Sequence, residues 1–265
     1  MVRTRQPATE PSQAADIPVD SLLRGLEILR LFDVRHRRLS LDDISNKLGL
    51  TRATTDKLVQ TLLNHHFLQP LGNDVYQPHV ACLALGRAVK RRLPTAQAAR
   101  PLMRELSQRY GVHVTLTTRD RLHMLVVEHC VPSGKVRLGL TTGSRFSMVA
   151  SASGRAYLWG QTEEQRRVLL AQIEDEAGAG MQRQITDTHA AFQELDRNGW
   201  CYLASPVANQ TASIATPVHA GTGVEFALAA MAVGASLTEK NLRQQVAPEL
   251  FAVAQRIALD KDAGR

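Results

Sequence analysis

Cysteine is scarce in this chain. The three cysteines among its 265 residues, Cys82, Cys130 and Cys201, stand far apart, with no CxxC pair and no even set. Neither a disulfide framework nor a thiolate metal site is expected, and the thiols read as reduced residues of a cytoplasmic protein. No apolar run approaches the ~20 residues that span a bilayer, and the N-terminus lacks the apolar core of a signal peptide, so no membrane partner is expected. Gly-x-Ser-x-Gly is absent, as is a glycine-rich phosphate loop between strand and helix. His65–His66 and the histidines from His123 to His129 lack the HExxH spacing of a zinc site, so no metal and no cofactor is expected. There is no internal repeat and no sizeable low-complexity segment. Together these absences leave little support for catalysis.

The most informative segment present is 41–60. Leu41, Ile44 and Leu48 recur at helical spacing, with Asp42, Asp43 and Lys47 on the other side. Gly49 follows the last periodic position, where a left-handed residue ends a helix cheaply. Thr51 is a fair N-cap for a second helix, whose inward stripe is Thr55, Leu58 and Leu62 with Val59 and Leu63 beside it. Two short helices joined at a tight turn form a helix-turn-helix. The residues left outward at the start of the second helix are Arg52, Ala53, Thr54, Asp56 and Lys57. Small, hydroxyl and basic groups there, with Ser40 and Thr51, suit phosphates and base edges, and the helix N-terminus itself favours phosphate.

The flanks extend this unit. A preceding helix carries Leu22, Leu26, Leu29, Leu31 and Phe32, expected to cover the pair. Two short apolar runs, Phe67–Leu71 and Val75–Pro78, surround Gly72-Asn73-Asp74 and read as a hairpin. Three helices and a hairpin make a winged helix, whose wing would present Asn73. Of the net charge of +7, the larger part lies in the first 92 residues, where 14 Lys and Arg face 9 Asp and Glu. Lys90-Arg91-Arg92 either touches backbone phosphate or solubilises a linker helix. Residues 1–18 read as a flexible arm, whose Arg3 and Arg5 could follow a minor groove.

From 81 onward the pattern predicts a linker helix ending before Pro94, then a helix over 96–110 with Leu102, Leu106 and Tyr110 inward. The period then changes to two. Strands are expected at 112–117 and 122–128, separated by a turn at Arg119-Asp120-Arg121, with a further one at 136–140. Helices follow at 152–159, 163–173 and 187–198, strands at 200–203, 212–218 and 226–233, and a last helix over 239–259. Gly221-Thr222-Gly223 reads as a hairpin turn. Helices and strands segregate, giving a two-domain α+β chain whose second domain has a largely antiparallel sheet.

A run of mostly small residues, Met148 to Gly154, lies between a strand region and a helix. Backbone N–H groups there could approach a ligand, an anionic one being favoured by the helix N-terminus, or the run could merely permit close packing. Met148, Ala150, Ser151, Ser153 and Gly154 are the candidates from this run. Facing them would be Thr115, Thr117, Met124 and Val126 from one strand pair and Ser213, Ala215 and Ala230 from later strands. Arg155 either pairs a ligand carboxylate or lies on the surface.

Ser21–Leu29, the helix-turn-helix, Leu58–Leu62, Tyr76-Gln77-Pro78, Leu83–Gly86, Ala150–Leu158, Gly199-Trp200 and Ser213–Val218 resemble, in order, the IclR-type transcriptional regulators. The resemblance implies an N-terminal winged helix, a linker helix and a GAF-like effector-binding domain. It also implies a small-molecule effector, often an organic acid, and a homodimer or dimer of dimers on a palindromic operator in double-stranded DNA. The chain departs from the family at several points. His66 replaces the usual glycine before the wing and requires a left-handed or adjusted turn. Asp56 stands where an aromatic or histidine is frequent; it either accepts from cytosine N4 or pairs with Arg52 or Lys57. Leu203–Pro206 replaces an acidic run, and Gln210 replaces a glycine, so the polar chemistry of the pocket differs.

The expected division is an arm at 1–18, a winged helix at 19–80, a linker at 81–95 and an effector domain at 96–265. The expected function is a sequence-specific, effector-controlled transcriptional regulator. Two alternatives are a DNA-binding scaffold whose second domain only dimerises, and an enzyme with an appended DNA-binding module.

Overall fold

The computed structural model describes residues 19–33, 36–91, 93–134, 139–177, 180, 182–205, 211–220, 223–234 and 237–262. The chain divides into two compact units, one ending at Cys82 and the other beginning at Leu83. The arm at 1–18, most of the strand expected at 136–140, the side chains of Lys90-Arg91-Arg92, the Gly221-Thr222 turn and Gln210 fall outside the described residues.

In the first unit, α1 (Asp20–Arg30), α2 (Leu41–Leu48) and α3 (Arg52–Asn64) surround a small core. A three-stranded antiparallel sheet adjoins them, in the order β1 (Leu39–Ser40), β3 (Val75–Pro78), β2 (Leu68–Gly72). Ile28, Leu39, Leu41, Ile44, Val59, Leu68 and Tyr76 are its buried apolar residues, with Leu29, Leu31, Phe32, Leu58, Leu62 and Leu63 packed around them. The expectation that α1 covers the pair holds for Leu29, Leu31 and Phe32 but not for Leu22 and Leu26. The buried residue of α1 is Ile28, while Leu22 and Leu26 are 62% and 51% exposed. With Val19 and Leu23 they form a second apolar stripe at three- and four-residue spacing on the opposite side.

The second unit begins with α4 (Leu83–Arg91), preceded by a 3-10 turn at Val80–Cys82, and α5 (Pro94–Tyr110). Proline at the first position of α5 lacks only an N–H that would be orphaned there, so the helix starts two residues earlier than expected. A six-stranded, wholly antiparallel sheet follows. Its spatial order is β6 (Arg145–Ser147), β5 (His123–Cys130), β4 (His113–Asp120), β9 (Gly223–Val233), β8 (Thr211–Ala220), β7 (Cys201–Ser205). β4 runs through Arg119 and Asp120, so the turn lies at Arg121-Leu122, with Arg121 at φ +56°.

Both faces of this sheet are covered. On one, Ala99, Met103 and Leu106 of α5 and Leu250, Ala254 and Ile257 of α10 (Ala247–Asp262) pack against Val114, Leu116, Leu228 and Ala230. α10 continues from α9 (Glu239–Asn241) through a π-helical stretch at Leu242–Val246, where a single helix was expected. On the other face, α6 (Ala152–Trp159), α7 (Glu163–Ala177) and α8 (Gln182–Asn198) pack against Met124, Ala215, Ala227 and Ala229. Alternation along each strand separates the two cores, so a shift of one residue moves a side chain from one to the other.

Candidate DNA-reading surface and effector face

The start of α2 is fixed by a capping box. Ser40 Oγ accepts from the Asp43 N–H at 3.0 Å, and Asp43 Oδ2 accepts from the Ser40 N–H at 2.9 Å. The Ser40 hydroxyl and then its backbone N–H hold the Asp43 carboxyl below its ordinary value. α2 ends at Gly49, left-handed at φ +63°, whose N–H returns to the Ser45 carbonyl. Thr51 caps α3 by accepting from the Thr54 N–H at 3.2 Å. Thr55 and Val59 point into the core, which leaves Arg52, Ala53 and Lys57 exposed and Thr54 and Asp56 half-buried at the helix entry.

The wing turn consists of Asn73 and Asp74, both left-handed at φ +51° and +55°, the geometry of a two-residue hairpin that Asn and Asp tolerate better than other residues bearing a Cβ. His66 adopts φ +59°, so a non-glycine residue does occupy a left-handed position before β2. The hairpin is joined to α2 as well as to itself: Ser40 pairs with Val75, and the Leu41 N–H donates to the Asp74 carbonyl at 2.9 Å. Arg52 spans the same junction, one guanidinium nitrogen on Asp42 and the other 2.6 Å from Asp74 Oδ2. Asp56 therefore does not pair with Arg52, which is committed elsewhere; its carboxylate receives Gln60 Nε2 at 3.5 Å, one helical turn along.

In the second unit, register decides which expected residues meet. Thr115 and Thr117 lie opposite Ala229 and Ala227 on β9, and Thr117 lies opposite Val126 on β5, all on the α6 side. Met124, Met148, Ala215 and the α6 residues Ser153 and Gly154 are buried on that side too. Ala230 is not. It is paired with Val114 and lies in the α5–α10 core, so it does not reach the α6-side face, which its neighbours Ala229 and Met231 take. Ala150 is exposed.

Several of these groups are already engaged. Ser151 caps α6 by accepting from the Gly154 N–H at 3.1 Å; Thr117 Oγ1 donates to the Ala227 carbonyl at 3.2 Å. Ser213 Oγ donates to the Leu203 carbonyl at 3.4 Å. A Cβ on Gly154 would lie 2.0 Å from the Met148 carbonyl oxygen, so the small-residue run serves close backbone packing here. Arg155 is neither on the surface nor offered outward. It is 5% exposed and donates through Nε to the Val149 carbonyl at 2.9 Å, with burial pushing its pKa down.

Strand alternation also brings in residues not singled out from the sequence. His113 shares the face of Thr115, and His129 lies opposite Thr115. His113 Nδ1 and His129 Nε2 are 3.1 Å apart, so one ring donates and the other accepts. The buried His113 and the half-buried His129, Ser213 and Met231 form a more polar end of the α6-side face. Burial first, then His113, holds the His129 pKa below its ordinary value of 6.5, the Leu140 carbonyl opposing. Below about pH 6.5 the unfolded chain therefore binds more protons at this site than the folded one. The thermal midpoint is expected to be level above neutrality and to fall as pH drops below 6.5, with His129→Gln flattening this part of the curve; an identical acid limb in the variant would contradict it.

Two clefts lie elsewhere in this unit. One of about 460 Å³ is lined by Arg166 and Leu170 of α7 and Ile185 and Phe192 of α8. The other, of about 260 Å³, is lined by Trp159, Asp196, Pro217 and Phe251. Neither contains an expected effector residue. Among the described residues no group of three metal-ligating side chains converges, and no helix is long and apolar enough to cross a membrane.

A winged helix with an exposed, capped second helix, followed by a separate α/β unit with a two-faced antiparallel sheet, defines a transcriptional regulator of the two-domain kind. Residues 21–72 match the profile of the IclR helix-turn-helix domain and 87–259 that of the bacterial transcriptional regulator IclR C-terminal domain. The chain belongs to the IclR family. It is 28% identical to the HTH-type transcriptional regulator TsaQ1/TsaQ2 of Comamonas testosteroni, over 93% of this chain and 90% of that one. Identity to the Pca regulon regulatory protein of Pseudomonas putida is 24%, covering 89% and 81%. The crystal structure of an IclR family transcriptional regulator from Brucella abortus superposes with a TM-score of 0.82 at 26% identity, covering 96% of each chain. An IclR homolog from Microbacterium hydrocarbonoxydans, solved in complex with 4-hydroxybenzoate, shares the fold at a TM-score of 0.72 and 20% identity, covering 92% and 99%.

Proposed function

We propose that this regulator works in the cytoplasm and binds a palindromic operator as a homodimer or dimer of dimers. In this reading Thr51, Arg52, Ala53, Thr54, Asp56 and Lys57 at the entry of α3, with Ser40 and Asn73 beside them, form the DNA-reading surface. The effector is a small organic acid held on the α6 side of the sheet, towards Thr115, Ser213 and the His113–His129 pair. By binding one protomer arrangement better than another, it would reset the spacing of the two reading helices.

The observation that carries the reading is the entry of α3. Its N-terminus is capped by Thr51 and its outward residues are left accessible beside a wing pinned to α2. Support for two copies comes from the exposed stripe Val19, Leu22, Leu23 and Leu26, which burial within the unit does not explain. Support for an acid comes from the Microbacterium homolog's ligand and from the polar, imidazole-bearing end of the face. The reading is non-enzymatic; in its support, the Ser151 side chain serves to cap α6 by accepting from the Gly154 N–H.

Operator affinity is expected to fall steeply with salt, and Lys57→Ala to weaken binding by about tenfold, as loss of one phosphate or base contact does. Unchanged binding by Lys57→Ala and Thr54→Ala together would remove α3 as the reading helix. Saturation with 4-hydroxybenzoate or a related acid at a hundredfold excess over Kd should stabilise the fold by about 2.7 kcal/mol. No thermal shift with any of a panel of small acids would leave the dimerising scaffold as the better reading.

A further inference from the structure

We propose that Arg52 is a specificity-determining residue held in reserve: Asp42 and Asp74 bracket its guanidinium so that the anionic backbone of generic DNA recruits it less readily than a neutral, matched two-point acceptor on a base. The inference rests on α3 being the reading helix. It starts from three chain segments converging at one place. The start of α2 and the wing tip are fixed to each other through backbone, by the Ser40–Val75 pairing and by the Leu41 N–H on the Asp74 carbonyl. Asp42 and Asp74 are thereby set on either side of the first residue of α3, and Arg52 reaches both, through Nη1 and Nη2 respectively.

The bracket has two consequences. One cation between two carboxylates is a local net charge of −1 at the mouth of the surface that must approach phosphate. Arg52 is thus not a ready phosphate contact, despite its position. The bracket is also weak. The side chains are 54% exposed for Arg52, 70% for Asp42 and 60% for Asp74, and ion pairs so open to water hold their partners loosely. A phosphate can take both ends of the guanidinium fork with two oxygens, but it brings its own negative charge against Asp42 and Asp74, which a neutral base edge does not. A guanine edge, with O6 and N7 side by side, replaces both ends of the guanidinium fork at once. The bracket therefore subtracts from binding to all DNA and returns the loss only at a matched base, which is how discrimination is gained against competing sites.

The experiment compares full-length wild type, Asp42→Asn/Asp74→Asn and Arg52→Ala on two duplexes of equal length. One carries the operator footprinted for the wild type; the other has a scrambled sequence. Fluorescence anisotropy is read across a salt series. The double amide variant should bind the scrambled duplex about tenfold more tightly and with a salt slope steeper by about one or more, because Arg52 becomes free for phosphate. Its operator affinity should rise by much less, so the ratio of the two affinities falls. Arg52→Ala should lose operator affinity while leaving scrambled binding and its slope within about twofold. Equal gains on both duplexes in the double variant would reduce the effect to plain charge removal and overturn the proposal. So would an Arg52→Ala variant whose operator affinity is unchanged, or one whose losses are equal on both duplexes. These outcomes are separate from failure of the reading helix itself, which Lys57→Ala and Thr54→Ala report.

Discussion

Replacing Gly154 with alanine is expected to lower the thermal midpoint of the second unit by about 10 °C, taking a cost near 3 kcal/mol and about 3 °C per kcal/mol for a unit of this size. The added methyl would meet backbone: the Met148 oxygen at 2.0 Å, its Cα at 2.5 Å and its carbonyl carbon at 2.6 Å. Backbone cannot rotate away as a side chain can, and this stretch is pinned. The Val149 carbonyl accepts from Arg155 Nε at 2.9 Å, and Met148 and Val149 are fully buried. Alanine gains about 1 kcal/mol of helix propensity over glycine, too little to reverse the sign. Circular dichroism melts decide it; a midpoint within about 2 °C of wild type would show that α6 can lift off Met148 without cost.

Leu22→Glu together with Leu26→Glu is expected to give a folded monomer whose operator affinity is reduced by about a hundredfold. Both leucines are mostly exposed, and Ile28, which anchors α1, is on the other side of the helix, so the substitutions leave the unit's core untouched. Two glutamates in place of an apolar stripe would oppose their counterparts across any self-complementary interface. Binding of two half-sites then loses the effective concentration that a dimer supplies. Sedimentation velocity and anisotropy are read on the same preparation. A variant that stays dimeric and binds as before would place the interface away from α1.

The same helix shows why some of the fold was legible in the sequence and some was not. Helical spacing, Gly49 and the threonine caps are local signals, and they located α2, α3 and the wing to within a residue or so. Leu22 and Leu26 carry the same spacing as a core stripe, and the pattern alone does not say which of two apolar stripes the unit buries. The strands β4, β5, β8 and β9 were visible through their period of two. Their mutual register was not, because it is set by contacts more than 100 residues apart, such as Thr117 with Ala227. Ala230 was accordingly assigned to the wrong face. His113 was within reach of the sequence, since it alternates with Thr115 and Thr117; His129 required the pairing with β5. The Arg52 bracket joins residues 10 and 22 positions away through a hairpin, and no spacing rule announces it.

The thiols have a practical consequence. Cys201 is fully buried, its Sγ 3.6 Å from the Ala152 carbonyl, and burial pushes its pKa to about 12; Cys130 is buried with its pKa also raised. Cys82 is only half-buried, next to Phe67 at the foot of the wing and at the boundary between the two units. A maleimide fluorophore or spin label added to the native fold would thus attach selectively at Cys82. The unmutated protein carries its own reporter at the place where an effector's signal would have to pass towards DNA.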